Sequence, residues 1–410
     1  MNENIKGILL LEDTPNNTEI GIDMKFFVAS SNFRGIKSIP PGPHLVYSRH
    51  SGSCGPRSSF MIEIKPSSEE YFVKLKWSKQ AEEFVPETLT DSELDRLKSN
   101  FAEMERYMAA YPHDEYRNWI SLTNFLNFPA FEALFPSDKQ LYSCDMLQSK
   151  ASSSQQRLAQ PNSPAFATLE TIPGTEVRFT DIPKRPIALK NASFDDVSRR
   201  GMDRSDTLEY VFTLLSERHT FDEEFLEHYH LKTGECAFLA ELQFSFITFL
   251  IVERIDSWLH WRDMLTLATN CKVAVKSHPE FFSHLISVLF HQLNRDSNSD
   301  FDKASDTLFS MMAEASTFGS SKPSEPYFIP HMIKQLCLNV NDAATESHNA
   351  RLSDLCARVD GLRVAMEQHY GWELVVPNST VVQADSNGDL SEIPVTDIDW
   401  DTEDAPTIVL

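Results

Sequence analysis

Three stretches carry residues whose type and spacing could do chemistry. Gly52-Ser53-Cys54-Gly55 puts a thiol in a small-residue loop, the setting of a cysteine nucleophile, which also needs a partnered His and a group to orient it. No His and Asn can be assigned to Cys54, and the run lies between two strand patterns, so it reads as a hairpin loop; a hydrolase built on Cys54 stays open as an alternative. His228 and His230 could ligate a metal, but there is no HExxH. On a helix, residues two apart point about 200° away from each other, so both read as surface or helix-packing histidines. Asp296, Asn298 and Asp300 open like a calcium loop, yet Phe301 stands where the turn needs Gly and Thr307 where the bidentate Glu belongs. Asp385, Asn387 and Asp389 fail similarly. With no Walker loop and no GxGxxG, a nucleotide cycle lacks its phosphate cradle. The expectation is a chain with no catalytic residues, no cofactor and no metal.

The charge balance directs attention to partners instead. Among 410 residues, 37 Lys and Arg face 60 Asp and Glu, a formal charge of −23 that repels a phosphate backbone, so strong direct nucleic-acid binding is not expected. An apolar share of 41% with 28 Phe and 6 Trp supports two or three domains with substantial cores. The six cysteines are scattered without a CxxC pair, as suits buried thiols in a reducing compartment. Ile8 to Leu11 reads as a strand and not as a signal peptide, so the protein is expected to stay inside the cell and its three Asn-x-Ser/Thr sequons to be chance matches. The apolar run Phe244 to Val252 is about half a membrane span, with Glu241, Gln243, Glu253 and Arg254 close by; it belongs to a core helix.

Residues 5 to 77 read as short strands (IKGILLL, MKFFVAS, GIKSI, HLVYS, FMIEI, YFVKLKW), a mostly antiparallel sheet structure. It is organised around FRGIKSIPPGPH, residues 33 to 44. Gly35 permits an unusual backbone, and Pro40-Pro41 fix φ and remove two amide donors, so one strand ends at Ile39, another resumes after Gly42, and Phe33, Arg34 and Lys37 come near an edge. Thr90 and Glu93 have capping-box spacing ahead of a stripe of Leu94, Leu97, Phe101, Met104 and Met108, a helix that Tyr111-Pro112 stops and that lies on the sheet. WISLTNFL, residues 119 to 126, reads as a short helix. Residues 143 to 165 are rich in Ser, Gln, Asn and Pro and read as a flexible insertion, where Ser152, Ser153 and Ser154 are candidates for phosphorylation. The alternation of GTEVRFTDIP, residues 174 to 183, predicts one more strand of the first domain.

After a charged linker at 184 to 204, the period becomes 3.6. FLAELQFSFITFLIVERI is apolar on most sides, with a narrow polar stripe of Glu241, Ser245 and Thr248, which predicts the central helix of a bundle. Trp258, Trp261, Leu265 and Ala268 make the next stripe. Ser277 and Glu280 have capping-box spacing with Pro279 in the first turn, and further helices are expected near 301 to 314, 327 to 341 and 346 to 369, the last ended by Gly371. The last forty residues hold nine acidic side chains and no Lys or Arg, together with β-branched runs and Trp400. Two readings stay open: a solvating tail, or one in which Val381, Val382, Ile393, Val395, Ile398, Trp400, Ile408 and Val409 contact a partner as added strands while the carboxylates steer toward a basic surface. The fold class is thus α+β in two domains: a β-rich, sandwich-like 1–183, a linker 184–204, an all-α 205–370 and an acidic tail 371–410.

Several runs together resemble one family, the eukaryotic splicing factor named for a1-alpha2 repression: TEIGID (18 to 23), FRGIKSIPPGPH, WISLTNF (119 to 125), GTEVRFTDIP, ELQFSFITFL (241 to 250), HWRDMLTL (260 to 267) and LISVLFHQL (285 to 293). Asn17 stands where the family usually has Gly, Ile20 where Phe is usual, and Pro43 where an aliphatic residue is common. The resemblance implies a β-rich N-terminal domain and a C-terminal helical domain similar to the VHS superhelix. It implies no enzyme activity but an assembly factor or chaperone of the U5 small nuclear ribonucleoprotein. Its partner would be the large scaffold protein of the spliceosome, bound at RNase-H-like and Jab/MPN-like domains. The factor would hold surfaces later taken by RNA and a helicase, and would be found in cytoplasm and nucleus as a monomer outside the complex. A VHS-like adaptor in membrane trafficking is the alternative.

Overall fold

A computed structural model of the chain describes residues 7–49, 57–65, 71–137, 139–143, 147–149, 169–185, 187, 203–294, 328–347 and 350–374. It divides into two compact units that interleave in sequence: Met1–Pro112, Phe131–Phe179 and Val252–Asp256 in the first, and His113–Ala130, Thr180–Ile251 and Ser257–Leu410 in the second.

The first unit holds two five-stranded sheets. β1 (Gly7–Glu12), β4 (Gly35–Ile39), β7 (Tyr71–Ser78), β8 (Glu83–Glu87) and β9 (Met108–Ala110) form one, in the order β8-β7-β1-β4-β9. β2 (Glu19–Ile22), β3 (Lys25–Val28), β5 (Gly42–Arg49), β6 (Ser58–Ile64) and β10 (Leu141–Tyr142) form the other, in the order β10-β6-β5-β2-β3. Pairing is mostly antiparallel, as expected, but β1 runs parallel to β7 and β4 parallel to β9. The double proline carries the chain from one sheet to the other: β4 ends at Ile39 and β5 starts at Gly42. The sheets meet closely enough that a Cβ on Gly7 of β1 would fall 2.7 Å from Ile64 Cγ2 of β6. Asn17 has φ 62°, a left-handed conformation that Asn tolerates better than most side chains.

Helix α1 (Asp91–Met104) begins with the predicted capping box, Thr90 and Glu93 bonding reciprocally. Leu97, Phe101 and Met104 pack with Phe72 against Ile8, Leu10 and Met108, so the stripe lies on the sheet as expected. The helix stops sooner than predicted, however. A 3-10 turn at Glu105–Tyr107 leads into β9, which places Met108 in the sheet and not on the helix; the parallel ladder to β4 outcompetes a last helical turn.

GTEVRFTDIP does not form the predicted strand. Its polar groups find partners other than a ladder: Arg178 donates its amide to Leu134 O (3.0 Å) and its guanidinium to Phe135 O (2.7 Å), while Gly174 (φ 91°) turns the chain. Inside the stretch read as a flexible insertion, β11 (Leu147–Ser149) instead pairs antiparallel with β12 (Leu169–Thr171).

The second unit is helical: α2 (Tyr116–Thr123), α4 (Ser205–Arg218), α5 (Glu223–Tyr229), α6 (Thr233–Val252, bar its last residue), α7 (Ile255–Thr269, from Ser257), α8 (Ala274–Ser277), α9 (Pro279–Leu293), α10 (Phe328–Glu346) and α11 (Ala350–Tyr370); a short α3 (Phe128–Leu134) spans the boundary. α6 is the central helix that its composition predicts. By length and apolarity it could cross a membrane, but all of its apolar window is buried within the protein. Its polar stripe is satisfied locally, Thr248 Oγ1 bonding Phe244 O (2.7 Å) and Ser257 Oγ (2.8 Å). Trp258 and Trp261 of α7 stack 5.2 Å apart, and Trp261 Nε1 donates to Gln292 Oε1 of α9 at 2.9 Å. The capping box predicted at Ser277 is absent: Ser277 ends α8 and bonds Ala274 O, and His278 is the N-cap residue of α9, with Pro279 in the first turn as expected. Gly371, at φ 68°, ends α11. The helix expected at 301 to 314 lies outside the described residues.

Candidate partner-binding surface

The Phe33–His44 stretch is held from below by a buried network. His44 and Asp23 are each about 1% exposed. The ring's Nδ1 lies 2.6 Å from Asp23 Oδ2 and its Nε2 2.8 Å from Pro40 O, while Tyr111 donates its hydroxyl to Asp23 Oδ2 (2.7 Å) and the Leu45 amide donates to Asp23 Oδ1 (3.0 Å). Both ring nitrogens are thus engaged, one by the Asp23 carboxyl and the other by a backbone carbonyl. An Asp–His pair superficially suggests a general base, but the nitrogen that would take a proton is occupied by Pro40. The chemistry here is positional: Tyr111 follows β9 of one sheet and Asp23 and His44 belong to the other, so the network bolts the prolines where the chain changes sheets.

The bolt holds the three residues singled out on this stretch. Arg34 is exposed, Phe33 half-buried, and Lys37 half-buried and paired with Glu105 at 2.9 Å. β4 is second from the edge, with β9 outside it, so these residues border the edge without forming it. Gly35 at φ 135° is required: a Cβ there would lie 1.9 Å from Leu9 O.

Arg49, Arg57 and Lys74 of the first unit are paired internally. Glu253, itself at φ 62°, pairs with Arg49 (2.7 Å) and Arg57 (3.3 Å), and Arg57 also pairs with Glu19 (3.1 Å) and lies over the Tyr47 ring. Lys74 sits between Glu12 (2.9 Å) and Glu87 (2.5 Å); its hydrogen bond to Glu87 raises its pKa, and Glu12 is lowered by its bond to Lys74.

The second unit carries two buried carboxylates with histidine partners. Glu241, fully buried on α6, accepts from the Thr180 amide (2.5 Å) and hydroxyl (2.9 Å), and His260 Nε2 lies 2.8 Å away. Burial pushes the carboxyl's pKa up, but His260 and the two Thr180 donors outweigh it and hold the group below its ordinary value. His278 is clasped through Nδ1 by Glu235 of α6 (2.6 Å) and through Nε2 by Glu209 of α4. The bond to Glu235 is the largest influence that raises its pKa against burial; Glu235 in turn is held below its ordinary value, burial being outweighed by His278 and the Lys232 amide. Neither histidine has the sequence signature of a ligand, and no group of three or more His, Cys, Asp or Glu suited to a metal occurs among the described residues. His228 and His230 are exposed, as expected, with His230 in the left-handed cap of α5.

Burial pushes the Cys236 and Cys271 thiols up, Cys337 up to about 12 and Cys356 up to about 11, so these four are protonated and poor nucleophiles. Cys54, Ser152, Ser153 and Ser154, and Val381, Val382, Ile393, Val395, Ile398, Trp400, Ile408 and Val409 lie outside the described residues. The described residues thus combine a loop held by a buried network, several internally paired cations and four protonated thiols. Sequence reading does not connect Asp23, His44, Tyr111, Glu253 and His278 to these contacts; it meets Tyr111 only as a helix stop and Glu253 only beside an apolar run.

A family model described as the AAR2 N-terminal domain matches residues 5–136, and another, the AAR2 C-terminal repeat region, matches residues 179–375. The chain belongs to the AAR2 family. The first match takes in every strand of the β1-containing sheet and the bolt; the second runs from GTEVRFTDIP through α11. Relatives include the protein AAR2 homolog of Pongo abelii, 28% identical over 306 residues that cover 70% of this chain and 74% of the relative. The AAR2 homolog of Caenorhabditis elegans is 29% identical over 307 residues, 70% and 78% of the two chains. A Saccharomyces cerevisiae protein named A1 cistron-splicing factor AAR2 is 22% identical over 297 residues, 68% and 74%.

Proposed function

We propose that this AAR2-family chain is a splicing factor that works without catalysis, as an assembly factor of the U5 small nuclear ribonucleoprotein. On this reading it binds the large spliceosomal scaffold protein at its RNase-H-like and Jab/MPN-like domains. It holds surfaces that RNA and a helicase take later, and it moves between cytoplasm and nucleus as a monomer when unbound. The observation that carries the reading is the match of both AAR2 family models, which together run along most of the chain. The physical character supports it: a charge of −23 suits a protein that covers basic, RNA-binding surfaces. Phe33, Arg34 and Lys37 form one contact, and the acidic tail, through its β-branched residues and Trp400, forms the other by strand addition. Phosphorylation at Ser152, Ser153 or Ser154 would add about −1.5 to −2 charges per site and favour release.

The test is affinity capture from nuclear and cytoplasmic extracts with the full chain and with a chain ending at Leu374, followed by mass spectrometry. Recovery of the U5 scaffold by the full chain is expected, with weaker recovery by the shorter one. Recovery of membrane cargo without the scaffold would replace the reading with a trafficking adaptor.

A further inference from the structure

α11 does not fray into the acidic tail; it is closed off by a built stop. Gly371 donates its amide to Glu367 O (2.9 Å) from the left-handed conformation that ends helices. Trp372 then stacks on Tyr370, ring centroids 4.4 Å apart and planes 12° from parallel, and Tyr370 is tied by its hydroxyl to Leu293 O of α9 at 2.7 Å. Two residues on, Leu374 is 1% exposed and its amide donates to Glu367 Oε1 (3.3 Å). That carboxylate is in turn gripped by Arg363 Nη1 at 3.0 and 2.9 Å, and Arg363 also donates to Asp360 Oδ1 (2.8 Å). Three residues outside any helix, Gly371, Trp372 and Leu374, are thus fixed by stacking, burial and a charge-assisted chain, a larger outlay than ending a helix requires, since Gly371 alone does that. The second family match closes at residue 375, immediately past the buried leucine, so this stop belongs to the shared helical region.

We propose that the Tyr370–Trp372 stack and the Arg363–Glu367–Leu374 clamp form an anchorage that fixes where the acidic C-terminal segment leaves the helical unit, and so concentrates that segment at a basic partner surface. The inference rests on the tail contact proposed above and adds the residues that position it. Beyond Leu374 the chain carries eight acidic residues and no Lys or Arg, and the first of the tail residues proposed above as contacts, Val381-Val382, begins seven positions on. For a segment joined at a fixed point, effective concentration falls roughly as the −3/2 power of the joining length. Losing the Leu374 contact moves the fixed point back to Trp372 and lengthens the join from seven positions to nine, a loss of about 1.5-fold. Ten Gly and Ser residues inserted after Leu374 lengthen it to seventeen, a loss of about four-fold.

The experiment measures affinity for a scaffold fragment containing the RNase-H-like and Jab/MPN-like domains, using the full chain, the chain ending at Leu374, the insertion, and Leu374→Ser in both lengths. Hydrogen exchange on residues 371–374 of the free full chain runs beside it. The proposal expects protected amides at Gly371 and Leu374, the two that donate to Glu367. It also expects losses of about 1.5-fold from Leu374→Ser and about four-fold from the insertion in the full chain, and no effect of Leu374→Ser in the shortened one. If shortening weakens binding but the insertion and Leu374→Ser do not, the anchorage is overturned and the tail contact stands. If the full and shortened chains bind alike, the tail contact itself fails. An unprotected Leu374 amide overturns the anchorage whatever the partner does.

Discussion

Replacing His44 by Leu should be among the most damaging single changes in the first unit. The ring is about 1% exposed, bonds Asp23 at 2.6 Å and Pro40 O at 2.8 Å, and its removal strands a buried carboxylate whose remaining donors are the Leu45 amide and the Tyr111 hydroxyl. Leaving a buried carboxylate short of its partner costs about 3–5 kcal/mol, a fifth or more of the stability of an ordinary domain, which is about 5–15 kcal/mol. With a urea slope of about 2 kcal/mol/M, the midpoint falls by about 1.5–2.5 M. The assay is urea unfolding followed by hydrogen-exchange mass spectrometry on peptides of β5 and β6, so that the unit that holds the bolt is read separately. Asp23→Asn and the double variant complete a cycle, and the two costs should fall short of additivity by about 2 kcal/mol. A cost for His44→Leu under about 1 kcal/mol, or additivity within about 0.5 kcal/mol, would refute the claim that ring and carboxylate act as one bolt.

Gly35→Ala puts a Cβ 1.9 Å from Leu9 O at a φ of 135°, and is expected to cost about 3 kcal/mol or more, read as lost soluble yield or a collapsed urea midpoint. Thr90→Ala removes the capping box of α1 and should lower stability by only about 1 kcal/mol by the same unfolding assay. The His278 clasp makes the helical unit pH-dependent. Because the folded pKa of His278 is raised, its contribution is full below the ordinary value of 6.5 and is lost as pH rises through the raised one. Because that of Glu235 is lowered, its contribution is present above 4.5 and is lost as pH falls through the depressed value. A pH series of urea midpoints should therefore decline on the alkaline side for wild type and decline less for His278→Asn; parallel curves would contradict the clasp. Cys236, Cys271 and Cys337 should resist a thiol reagent in the native protein and react on denaturation, as mass spectrometry of labelled peptides would show.

Local signals were legible where one interaction decides the outcome. Thr90 and Glu93 announce α1, the apolarity of 238–252 announces a central helix, and Pro40-Pro41 break the chain between Ile39 and Gly42. What could not be read depends on partners distant in sequence. Met108 continues the helical stripe of α1, but β4 draws it into a parallel ladder. GTEVRFTDIP alternates like a strand, but Arg178 and Thr180 spend their donors on helix-end carbonyls and on Glu241. His278 takes the N-cap position that Ser277 was expected to fill, because Glu235 and Glu209 hold its ring. The same holds for the candidate surface. Arg34 and Lys37 could be named from the sequence, whereas the bolt beneath them joins residues 23, 44 and 111, a set no spacing rule connects.

The most direct measurement of the central claim is calorimetric titration of the purified full chain with a scaffold fragment that carries the RNase-H-like and Jab/MPN-like domains, alone and in the presence of a competing single-stranded RNA. The account predicts a one-to-one complex that the RNA weakens by competing for the same surface. Absence of binding, or a complex in which RNA binds together with the chain at no loss of affinity, would contradict it.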